Sequence, residues 1–202
     1  YRLQLVLDAE AHRLTGSQQV IFPNTTSQAL EEIVFRLYPN LPQYGGRLEV
    51  GPVWVEGERV ASALRAEDPA LAIPLTKPLL PAASTTISLT FDVQIPEREA
   101  GYVLFGRSQG VWSLPDAYPL LAVHDGKTWR EDRAPAHGDA VFAAVGLYEV
   151  SRRLAAGEAL SWGGILAVMV EQRKRQVGWM AFVVLFIFWM WIYQVRMILA
   201  IF

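Results

Sequence analysis

The chain has 202 residues, a formal net charge of −2 and no cysteine, so disulfides and thiolate metal sites are excluded and the redox compartment stays open. The charge is divided: residues 1–150 carry 12 basic and 18 acidic side chains, whereas residues 151–202 carry 6 and 2. An acidic front part of this kind offers no basic face for phosphates, which argues against nucleic acid as a partner.

In chain order, Tyr1–Leu7 places Tyr1, Leu3, Leu5 and Leu7 on one face, the period-two signature of a half-buried strand. Arg13–Phe22, Glu31–Leu37 and Arg47–Val55 are predicted as further strands. Turn signals fall at Pro23-Asn24, Pro39-Asn40, Gly45-Gly46, Glu56-Gly57 and Pro81. Ala61–Ala70 reads as a short helical turn. Thr86–Ile95 gives the clearest alternation, with Ile87, Leu89, Phe91, Val93 and Ile95 against Ser88, Thr90, Asp92 and Gln94. Leu147–Arg152 is a last candidate strand. Short strands with Pro/Gly punctuation predict a mainly β fold over residues 1–155, an antiparallel sandwich or open barrel.

Residues 156–176 read as a linker or interfacial segment. Within it Leu160–Val170 is apolar but too short to span a bilayer; a buried strand, an interfacial segment and the start of a helix all fit it. Residues 177–202 are predicted to form a single transmembrane helix. Val177–Val195 contains no acid, lysine, arginine or proline, and at about 1.5 Å per residue such a run covers a hydrocarbon core of about 30 Å. A helix satisfies its own backbone groups in lipid. Trp179, Phe182, Phe186, Trp189, Trp191 and Tyr193 are the candidate lipid or partner contacts, and Arg196 marks an interface. Arg173, Lys174 and Arg175 form a basic collar, which by the positive-inside rule favours a cytoplasmic β-domain. The expected partners are the bilayer and other membrane-protein subunits. No histidine lies in the span, so it offers no imidazole to a haem or chlorophyll.

Two blocks in the front part follow a known pattern. The first is Leu14, Gly16, Val20, Phe22, Asn24 and Thr25, then Leu30, Ile33, Phe35, Leu37, Tyr38, Pro39 and Asn40. The second is Tyr118-Pro119-Leu120-Leu121-Ala122, Asp125-Gly126, Trp129, Gly138-Asp139 and Gly146–Val150. Together they resemble the N-terminal β-domain of the M1 family of zinc aminopeptidases, over about residues 1–155. On the residues themselves the reading is structural: Gly16 as a bend or bulge, Tyr38-Pro39-Asn40 as a strand end, and Trp112, Tyr118 and Trp129 as core aromatics. Membrane-attached peptidase-like domains often face outward, against the charge rule.

The resemblance does not bring an activity with it. M1 catalysis needs His-Glu-x-x-His on a helix, so that both imidazoles reach one zinc and the glutamate activates water. That motif is absent here, as is the family's G-x-M-E-N element; the histidines are His12, His124 and His137. His124 and His137 read as surface-loop residues, so no catalytic, cofactor or metal site is expected, with zinc only if a catalytic domain exists elsewhere. Asn24-Thr25-Thr26 is a formal glycosylation sequon, read as a turn. The expectation is a noncatalytic, membrane-anchored β-domain that acts as an interaction or assembly subunit. The alternative is the N-terminal portion of a membrane-bound zinc aminopeptidase.

Overall fold

Ser84–Gln94 alternates without a break, and the larger sheet is built around it. Thr85, Ile87, Leu89, Phe91 and Val93 are buried while Ser84, Thr90 and Gln94 face solvent. The computed structural model describes residues 1–65, 69–99, 103–131 and 141–154, all within one unit, Tyr1–Ser161. The predicted span, its collar and the preceding linker lie outside the described residues. Among the described residues no helix is long and apolar enough to cross a membrane.

The strands are β1 (Arg2–Asp8), β2 (Arg13–Pro23), β3 (Leu30–Arg36), β4 (Arg47–Val55), β5 (Glu58–Val60), β6 (Ala63–Arg65), β7 (Ala70–Leu79), β8 (Ser84–Gln94), β9 (Gly106–Ser108), β10 (Val111–Ser113), β11 (Leu120–Leu121) and β12 (Glu149–Leu154). They form a six-stranded sheet in the order β12-β1-β2-β8-β4-β5, a four-stranded sheet β11-β3-β7-β6, and the hairpin β9-β10. Leu14, Val20, Ile87, Leu89 and Phe91 of the first sheet join Ile33, Phe35, Leu71 and Ile73 of the second in one hydrophobic core. Each such side chain contributes about 1.5–3 kcal/mol by leaving water. The fold is mainly β, with antiparallel sheets as predicted; among the described strands β12 alone runs parallel to its neighbour, β1.

The β4–β5 hairpin turns through Glu56 and Gly57, whose φ values of 50° and 84° fit a two-residue type I′ loop. The Glu56 carboxylate accepts hydrogen bonds from the Thr85 hydroxyl and the Thr86 N–H, which holds a non-glycine residue in that conformation. The short helical turn predicted over Ala61–Ala70 is corrected to strand at Ala63–Arg65 and from Ala70 onward. Its alanines fit a helix by propensity, but strand pairing between β6 and β7 prevails. The Arg65 guanidinium also reaches Glu32 on β3 (2.5 and 2.6 Å) and pairs with Glu131, which ties the sheet across its width.

Gly16 is neither a bend nor a bulge. It sits in regular register within β2, opposite Phe91. A Cβ there would lie 2.4 Å from Phe91 Cζ, so the glycine makes room for the ring that lies over it. The strand end at Tyr38-Pro39-Asn40 is a single 3-10 turn, and Asn40 closes it: its Nδ2 donates to Leu48 O (3.0 Å) and its Oδ1 accepts from Leu48 N.

Candidate interaction surface

The residues that lead from the folded domain towards the tail, 141–154, are held by side chains from distant parts of the sequence. Tyr38 is buried, and its hydroxyl donates to Phe142 O (3.1 Å) while accepting from Phe142 N–H (3.0 Å). One phenol therefore satisfies both backbone groups of Phe142, where no strand partner does so. Replacing Tyr38 with Phe is expected to remove both bonds, at about 1–3 kcal/mol. The loss should appear as faster amide exchange and protease cleavage over residues 141–148, with β8 amides little changed.

Beyond Phe142 three tyrosines meet. Tyr1 stacks on Tyr148 with ring centroids 4.6 Å apart, and Tyr118 packs edge-on to both at 6.2 and 6.3 Å. The Tyr1 hydroxyl accepts from Leu121 N–H (2.9 Å), joining this cluster to β11. Burial pushes the Tyr1, Tyr118 and Tyr148 phenols above their ordinary range; the neighbouring Tyr148 adds to the effect on Tyr1 and Tyr118, and Asp116 adds to it on Tyr118 and Tyr148. All three folded-state values exceed the unfolded value of about 10. Their contribution is therefore complete below pH of about 10 and is lost as pH rises towards the folded-state values. Tyrosinate absorbance near 295 nm should then rise together with loss of the β-sheet circular dichroism signal. Tyr118→Phe should make that transition less steep in pH.

Then β12 begins, pairing with β1 in register from Arg2↔Glu149 to Leu7↔Leu154. An exposed ion pair, Arg2 Nε to Glu149 Oε2 at 3.0 Å, marks the first rung. Among the described residues β12 is the edge strand of the sheet, and its Arg152 and Arg153 place charge on that edge, which discourages unintended pairing. Between the Tyr38 clamp and β12 the side chains of Phe142, Val145 and Leu147 are 61%, 95% and 90% exposed. The sequence reading took Leu147 as the start of a strand and gave no signal for this exposure.

The predicted contact residues Trp179, Phe182, Phe186, Trp189, Trp191, Tyr193 and Arg196, and the collar Arg173, Lys174 and Arg175, lie outside the described residues, as does His137. His124 lies in a tight turn, where its Nδ1 accepts from Gly126 N–H (3.1 Å) and its ring meets Trp129 edge-on at 5.0 Å. In the same turn Asp125 accepts from the Lys127 and Thr128 N–H groups, which lower its pKa. Among the described residues no group of three or more His, Cys, Asp or Glu could hold a metal ion. Trp112 and Trp129 are buried and Tyr118 packs against the same core, as expected of core aromatics.

Asn24 is fully buried and hydrogen-bonded throughout. Its Nδ2 donates to Gln28 O and Leu79 O (both 2.8 Å), and its Oδ1 accepts from Thr26 N–H (3.0 Å) and the Thr26 hydroxyl (2.8 Å). The sequon asparagine is therefore a structural turn residue whose amide hydrogens are both occupied.

Residues 140–202 match a family model described as "Predicted integral membrane protein (DUF2189)". The match supports a membrane location for this part of the chain. Among solved structures the chain is similar to an M1 zinc metallopeptidase from Deinococcus radiodurans, at 21% identity over 47% of this chain and 19% of that one, with a TM-score of 0.38. A mutant of that metallopeptidase bound to a Tyr-ser-ala substrate matches at 20% identity over 50% of this chain and 21% of that one, also at 0.38. The resemblance is structural and distant, and the chain spans about a fifth of the length of those structures. No curated protein matches the chain.

Proposed function

We propose that the chain is a noncatalytic, membrane-anchored β-domain that serves as an interaction or assembly subunit of a membrane complex. The observation that carries this reading is the continuity of residues 140–202. The stretch similar to an integral-membrane family starts at the domain's clamped segment and takes in β12 and the apolar run Val177–Val195. A domain joined to its anchor through a paired strand is suited to presenting its surface at a fixed place on a membrane. The absence of His-Glu-x-x-His from the 202 residues supports a role in binding rather than in hydrolysis.

The test is fractionation and mass. The full chain should resist extraction from membranes by alkaline carbonate. In its native membrane, solubilised gently, it should run as one defined species well above its own 22.6 kDa plus detergent. Recovery in the carbonate supernatant, or as a monomer, would overturn the proposal. The two sequence blocks around Tyr38 and Tyr118 favour a second reading, the front portion of a zinc aminopeptidase. Zinc and aminopeptidase activity in the intact gene product would support that reading.

A further inference from the structure

We infer that the run Phe142–Leu147 is an interfacial foot that inserts its apolar side chains into the headgroup region of a bilayer. On this arrangement the β-domain lies against the membrane instead of standing off on the linker. The inference rests on the membrane-anchored reading and extends it to the described domain.

Three features point to lipid. First, the clustering is local. Elsewhere among the described residues the large exposed apolar side chains are spread singly (Val6, Ile21, Leu64, Leu80, Val111), as on any soluble surface. Here three of them fall within six residues, separated only by Ala143, Ala144 and Gly146, and no charge interrupts Val141–Tyr148. Second, the run is continuous with the membrane part of the chain, because it lies inside the 140–202 match and upstream of the predicted span. Third, its flank carries the complementary charge. Arg153, exposed in β12, follows the apolar run at six residues' distance, the intervening Glu149 is paired with Arg2, and residues 151–202 carry 6 basic against 2 acidic side chains. Apolar side chains beside cations are the pattern that seats a segment among anionic headgroups.

The backbone is held for this role. Tyr38 fixes Phe142 by both of its polar groups, the Tyr1–Tyr148 stack fixes the other end, and Glu149 follows immediately in β12. Little conformational freedom remains to be lost when the side chains insert, which favours binding.

The chain has no cysteine, so a single cysteine introduced into the full-length protein labels one site. Val145→Cys carries an NBD fluorophore in the full chain reconstituted in phosphatidylcholine–phosphatidylglycerol vesicles. Leu64→Cys, on β6 in the other sheet, is the comparison. Spin-labelled lipids should quench the Val145 probe at least about two-fold more than the Leu64 probe, and iodide should quench it less. Equal access of iodide to both probes would overturn the inference. So would a Val145 probe shielded from iodide but untouched by spin-labelled lipid, which would mean that protein covers it, Leu160–Val170 of this chain or another subunit. Carbonate extraction of the same vesicles separates the two levels. If the chain washes off, the anchored reading fails and the foot fails with it; if it stays and Val145 remains in water, the foot alone fails.

Discussion

Asn24→Ala is expected to cost about 2–4 kcal/mol of stability, among the largest effects of any single polar substitution in the domain. The mutation leaves Leu79 O without its partner in a buried site, and it removes the Asn24 bonds to Gln28 O and Thr26 N–H at the half-buried rim of that site. Backbone bonds from Asn24 N–H to Ala83 O and from Ala82 N–H to Asn24 O show how tightly the two loops meet there, at 2.8 and 2.9 Å. Asn24→Asp keeps the acceptor but removes both donors and buries a charge, so it should be at least as damaging. Denaturant midpoints of the solubilised chain measure the effect. Alanine within about 0.5 kcal/mol of the parent would contradict the burial argument. The same geometry predicts that a glycosylating host adds no glycan at Asn24, read as an unshifted mass.

Gly16→Ala should cost about 1–3 kcal/mol, although alanine is usually the better strand residue. The added methyl would meet three carbons of the Phe91 ring at 2.4, 2.8 and 2.9 Å. Either the ring leaves its position in the core or the β2–β8 ladder opens, and both lose packing. Phe91→Leu in the same chain should recover part of the loss, giving a coupling energy of about 1 kcal/mol or more in a double-mutant cycle. Additive costs would show that the glycine serves some purpose other than to admit the ring.

These two positions also mark how far the sequence could be read. Strict alternation in Ser84–Gln94 reports burial on one face, and it was legible because the strand has one wet side. β7 gave no such signal. Ala70–Ile73 is buried on both faces, which erases the alternation, and Pro74 and Pro78 interrupt the rest of the strand with residues that cannot donate to a ladder. Both prolines are tolerated because, among the described residues, β6 pairs with Ala70–Ala72 only, and the rest of β7 has β3 alone beside it. Gly16 was misread because a glycine in a strand looks like a bulge until the ring opposite it is known. The Tyr38 clamp spans 104 residues of sequence, and the parallel docking of β12 on β1 joins the two ends of the domain. Neither is written in local periodicity. The exposed Phe142, Val145 and Leu147 were hidden for the opposite reason: apolar residues near a strand look like core.

The parallel docking of β12 on β1 has a mechanical side. The chain enters the pairing beside Arg2 and leaves it beside Leu7, so a pull at Leu154 along the strand axis strains the whole ladder of backbone bonds together. Bonds that share a load in shear yield at far higher force than bonds unzipped one by one. On the proposed membrane-anchored reading, a pull transmitted through Leu154 would therefore meet the whole ladder at once and would not peel the domain open rung by rung.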